Sequence, residues 1–143
     1  MNHWLLLIYK VPHQPSARRV YVWRKLKALG AILMHDAAWV LPATDRTREK
    51  LQWLATEIND MEGDALLWEA QQVFTGRDAD LMRQFIEQVD SVYQDILKAL
   101  QQQDADLVAL SKRYQQAALQ DYFHSPLGAR VRQALIDARE GDD

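Results

Sequence analysis

The sequence predicts an α+β protein: an antiparallel sheet with two helices on one face, then a C-terminal extension of two to three helices. Three observations predict it. Up to about residue 75 the hydrophobic period alternates in the order strand, helix, strand, strand, helix, strand. In that stretch Gly and Pro stand at the changes of period, and after Gly76-Arg77-Asp78 the pattern is helical throughout.

Residues 4 to 11 form a continuous apolar run, Trp4-Leu5-Leu6-Leu7-Ile8-Tyr9 at its heart, closed by Val11-Pro12. Such a run predicts a central strand covered on both faces. From Ser16 to Leu29 the period becomes helical: Val22, Trp23, Leu26 and Leu29 share a face, Pro15 and Ser16 mark the start, and Gly30 marks the stop. Ala31 to Met34 and Ala38 to Leu41 are short apolar runs around His35-Asp36-Ala37, which predicts a tight hairpin ended by Pro42. Thr44 or Asp45 then caps a helix striped by Leu51, Leu54, Ala55, Ile58 and Met61 and stopped at Gly63. Ala65 to Val73 returns to strand composition.

This order is the split βαβ, or ferredoxin-like, arrangement. The rest predicts one long helix to about Gln103 with the stripe Leu81, Phe85, Val89, Tyr93, Ile96 and Leu100. A second follows from Asp104 to Tyr122 on Leu107, Leu110, Tyr114 and Ala117, and a third after Ser125-Pro126 on Leu127, Val131, Ala134 and Leu135. The expectation is a single domain over 1–143, with 1–75 as the ferredoxin-like part and 76–143 as the helical extension.

A chain of 143 residues buries roughly 68–70% of its unfolded surface. It holds no cysteine, which excludes thiol nucleophiles, thiolate zinc sites and iron–sulfur clusters and fits a reducing, cytoplasmic setting. The N-terminal apolar run is far shorter than the about 20 residues a membrane span needs, and it lacks signal-peptide flanks.

No phosphate-binding glycine loop, paired-histidine metal helix or nucleophile elbow occurs. His3, His13, His35 and His124 are scattered without ligand spacing, and Asp121-Tyr122-Phe123-His124-Ser125-Pro126 reads as a hydrophobic staple with His124 facing solvent. No catalytic residue, metal site or cofactor is expected, and the protein is read as a non-enzyme. Trp39 and Trp68 are read as core, and Trp53, about 100° off its helix stripe, as exposed.

Charge is the informative property. The first 35 residues carry six Lys/Arg and no Asp or Glu, and the remainder carries eleven against twenty. Arg18, Arg19, Arg24, Lys25 and Lys27 fall on the first helix without the interleaved acids of an ordinary solvated face, which points to an anionic partner. At about 100° per residue Arg19 projects core-ward, toward a pairing acid or a pocket mouth, while Arg24 lies opposite the apolar stripe.

The segment Trp4-Leu5-Leu6-Leu7-Ile8 followed by Pro15-Ser16-Ala17-Arg18-Arg19-Val20-Tyr21-Val22-Trp23-Arg24-Lys25-Leu26 resembles the N-terminal domain of the ChrB family of chromate-resistance regulators. The likeness continues through Val40-Leu41-Pro42 and Asp121-Tyr122-Phe123. It implies a transcription regulator that binds promoter DNA through arginines of this region, a role inherited here by Arg18, Arg19 and Arg24. Family members usually carry a second, C-terminal domain, whereas the expectation here is a stand-alone N-terminal domain.

The first half is also distantly similar to the ferredoxin-like domains of the phenylacetate-degradation repressor and of small CRISPR-associated nucleases. Those nucleases hold metal with an aspartate after strand one. Tyr9-Lys10-Val11-Pro12 supplies no acid there, and the similarity implies instead a homodimer joined at sheet edges. Two readings follow: a DNA-binding regulatory module, or a non-catalytic oxyanion-binding or oligomeric scaffold in which Arg18 and Arg19 cradle chromate, sulfate or phosphate.

Overall fold

A computed structural model describes residues 2–141. The chain divides after Asp78 into two compact units.

The first unit contains β1 (His3–Lys10), α1 (Ser16–Leu29), β2 (Ile32–Met34), β3 (Ala38–Pro42), α2 (Asp45–Asp60) and β4 (Asp64–Gln71). The sheet order is β2-β3-β1-β4 with every pairing antiparallel, as the ferredoxin-like expectation requires. Crossovers from β1 to β2 and from β3 to β4 place α1 and α2 on one face. That face carries Leu5, Leu7, Trp39 and Leu41, buried with Val22, Leu26, Leu51, Leu54 and Ile58.

The opposite face corrects the expectation for β1. Cross-strand partners Ile8 and Leu66 are 41% and 50% exposed, because no helix of the βαβ crossovers lies over them. Trp68, read as core, shares that face and is 56% exposed. Trp4 is buried, and its indole Nε1 donates to Asp78 Oδ1 at 3.0 Å.

The connections follow from local chemistry. Gly30 (φ 81°) ends α1, its N–H bonded to the Lys27 carbonyl while Ala31 N–H reaches Leu26, an arrangement that needs a left-handed residue. His35 and Asp36 both adopt positive φ at the β2–β3 hairpin, where Ala37 N–H donates to the Met34 carbonyl at 2.9 Å. At α2 a capping box joins Thr44 and Thr47, and the buried Thr47 hydroxyl donates to the Pro42 carbonyl at 2.6 Å.

The rest of the chain is helical: α3 (Thr75–Leu100), whose first turn closes the first unit, then α4 (Leu107–Leu119) and α5 (Pro126–Gly141). The expected break at Gly76-Arg77-Asp78 is instead the first turn of α3. Arg77 N–H donates to the Phe74 carbonyl, and Asp78 adds an acid where the helix dipole favours one. The predicted stripes form the core: Val89, Tyr93 and Ile96 of α3 pack with Leu110 and Ala117 of α4 and with Val131 and Leu135 of α5. At the α4–α5 junction Tyr122 meets Phe85 edge-on at 6.1 Å, and His124 is exposed. The brace there is also polar. Asp121 accepts from the Tyr93 hydroxyl and from Ser125 N–H, both at 2.9 Å, and the Ser125 hydroxyl donates to Asp90.

Candidate functional site

α1 is a cationic ridge over the sheet. Val22, Leu26 and Leu29 anchor it, and its five cations leave around the remaining circumference. No acid occupies its first turn, and Pro15 supplies no side-chain cap. The sequence-predicted cations therefore share one helix but not one environment.

Arg18 turns toward α2, where its guanidinium donates to the Met61 carbonyl at 2.8 Å. That carbonyl lies at the negative end of the α2 dipole, so the contact braces α1 against α2. Arg19 is exposed and lines a cleft on the other flank, toward the β2–β3 hairpin. The two arginines do not converge on one anion. Its exposure departs from the core-ward projection that the helical period predicts.

Arg24, Lys25 and Lys27 are exposed. Arg24 lies on the crest. Lys25 sits 5.5 Å from the centroid of the Tyr21 ring, and Lys27 sits 5.9 Å from that of Trp23. Trp23 itself departs from the predicted core stripe and is 51% exposed. It lies at mid-helix beside the buried stripe of Val22, Leu26 and Leu29.

Between α1 and α2 a cleft of about 300 Å³ is lined by Lys25, Arg46, Lys50, Trp53 and Glu57 among others. Sequence reasoning omitted Arg46 and Lys50. Their spacing of four residues, with Trp53 three further on, placed them on one face of α2. Only the packing of α1 on α2 brings that face to Lys25. Trp53 is 63% exposed, as expected, and offers an open ring beside three cations.

The cleft's acid, Glu57, accepts a hydrogen bond from the Tyr21 hydroxyl. This bond, more than burial, holds the Tyr21 phenol above its usual range, so it remains a neutral donor. A neutral donor leaves the carboxylate's charge in place but occupies one of its oxygens. The cleft thus offers cations, an indole face and a single tethered acid, which suits phosphate contacts combined with ring stacking.

Among the described residues no group of three or more His, Asp or Glu side chains is placed to hold a metal ion. No helix among them is long and apolar enough to cross a membrane. The family described as Protein ChrB, N-terminal, matches residues 19–121. Protein ChrB of Cupriavidus metallidurans is 35% identical over 77 residues, which cover 54% of this chain and 24% of that protein. The matched segment thus spans about a quarter of that relative's length. No solved structure matches the chain.

Proposed function

We propose, from the premise that this chain belongs to the ChrB N-terminal domain family, that it is a non-catalytic, DNA-binding regulatory module of a chromate-resistance system. The observation that carries the reading is the ridge of α1, where Arg24, Lys25 and Lys27 reach solvent from a helix without a single acid. Backbone phosphates are spaced so that a cationic ridge neutralises several at once and releases their counterions. Arg46 and Lys50 of α2 extend the positive surface toward Trp53. Arg18 belongs to the fold and Arg19 to its own cleft.

Fluorescence-anisotropy titrations over a salt series, with duplex from upstream of the neighbouring genes and a scrambled duplex, test the reading. Each phosphate neutralised contributes about −0.9 to the slope of log affinity against log salt, so Arg24→Ala, Lys25→Ala and Lys27→Ala each flatten that slope by roughly one. Arg113→Ala, on α4 and paired with Asp95 at 3.3 Å, leaves it unchanged. Slopes equal to the parent's in all three α1 variants would sink the proposal. Loss of sequence preference on adding chromate supports the regulatory part, and preference indifferent to chromate removes it.

A further inference from the structure

The cleft on the hairpin flank of α1 has no part in that reading. It opens between the N-terminal half of α1, the end of β1 and the β2–β3 hairpin, and its volume is about 570 Å³. Small-ligand sites run from roughly 300 to 1,000 Å³.

Its lining is unusual for an idle surface. Trp23, Val20 and Leu33 are 51%, 43% and 42% exposed, and all three converge on this one concavity with Tyr9 and the buried Trp39. Single exposed apolar side chains need no account, but several gathered in a hollow do. Of the formally charged groups that line it, two are cations, Arg19 and Lys10, and one is a carboxylate, Asp36; His13 lines it as well. Neither Arg19 nor Lys10 has an ion-pair partner among the described residues. Ser16, the first residue of α1, also lines the cleft, so the uncapped positive end of the helix dipole lies beside it. Burial pushes the Tyr9 phenol upward, although a hydrogen bond from Trp39 opposes the shift, so Tyr9 stays a neutral donor.

We propose that this cleft binds a small molecule in which a planar aromatic ring carries a carboxylate or phosphate, the ring lying against Trp23 and Trp39 and the anion meeting Arg19. A bare tetrahedral oxyanion suits the site poorly, because it would satisfy Arg19 and leave the aromatic walls wet. Two sources share the required chemistry, nucleoside monophosphates and free aromatic carboxylates. The site adjoins the proposed duplex-binding surface at Trp23, over which Lys27 sits, and its test uses no DNA.

The full chain is titrated calorimetrically with AMP, GMP, indole-3-acetate and 1-naphthoate, with inorganic phosphate and acetate as ring-free controls. At least one aromatic anion binds saturably and at least tenfold more tightly than its ring-free control. The class that binds identifies the source. Arg19→Ala and Trp23→Ala each weaken that binding at least tenfold, while Lys112→Ala on α4 leaves it unchanged. Arg19 is exposed and touches no core, so its variant keeps the test valid if Trp23→Ala melts early. The proposal is overturned if no aromatic anion saturates the protein, if inorganic phosphate or acetate binds as tightly, or if Arg19→Ala binds like the parent.

Discussion

Arg18 and Arg24 lie on one helix, and their side chains meet different surroundings. Arg18 is committed to the Met61 carbonyl, so Arg18→Ala costs about 1 kcal/mol of stability and leaves the salt slope of DNA binding unchanged. A flattened slope with an unshifted melting temperature would reverse that assignment. The sequence could not separate the two, because both are arginines off the apolar stripe and Met61 is distant in the chain. Tyr93 makes a second case. Its place in the stripe was legible, but its bond to Asp121 was not, since that partner arrives from the α4–α5 junction. Burial first, and the Asp121 bond second, raise its phenol above the usual 10.0. At neutral pH both folded and unfolded chains keep the proton. Above about pH 10 the unfolded chain releases it first, so this contribution to stability falls as pH climbs toward the raised value. Tyr93→Phe leaves Asp121 short of a donor and is less stable by about 1–3 kcal/mol at pH 7. Denaturant midpoints between pH 8 and about 11 check the sign: the variant's deficit narrows as pH rises, and a constant deficit would refute the linkage.

At the scale of elements, the end of α2 separates what composition reveals from what it hides. Composition marks Gly63 as the stop, yet the residue in the left-handed region is Glu62 (φ 66°). Glu62 N–H bonds to the Asn59 carbonyl and Gly63 N–H to that of Ile58, completing the helix-ending motif one residue early. Gly63 is needed for another reason: a Cβ there would lie 2.5 Å from the Lys10 carbonyl and 2.9 Å from that of Ile58. Glu62→Gly therefore stabilises by about 0.5–1 kcal/mol, whereas Gly63→Ala destabilises by about 1–3 kcal/mol. Thermal melts of the two variants moving in the same direction would contradict this division. The element order and the helix stripes were legible because each rests on residues a few positions apart. The exposure of Trp68 and Ile8 was not, since it depends on which face of the sheet receives helices. A cap at Thr44 or Asp45 was legible, and the structure uses Thr44, while the start of α3 at Thr75 was hidden by Gly76.

For the whole molecule, the electrical polarity read from the sequence has a structural address. Residues 1–78 hold ten Lys/Arg and nine Asp/Glu, a net of +1, and residues 79–143 hold seven and eleven, a net of −4. The basic residues of the first unit come together across α1 and α2, so the candidate surface was half legible: its α1 side from a run of cations, its α2 side only from packing. Hydrophobic period fixes which residues face inward on each element, and it carries no information on which outer flanks become neighbours. The tryptophans divide along the same line. Trp4, Trp23, Trp39, Trp53 and Trp68 all fall in the sheet unit, while the three-helix unit has only tyrosine and phenylalanine. Indole emission excited at the red edge therefore reports on the sheet unit alone, and far-ultraviolet dichroism reports on the helices of both units, with α3, α4 and α5 contributing the larger share. With a separate core in each unit, the two signals are expected to give different denaturation midpoints, and coincident curves would mean a single cooperative transition. The protein is in this sense optically labelled by its own sequence, so that a ligand or a variant can be assigned to one half of the chain without any dye.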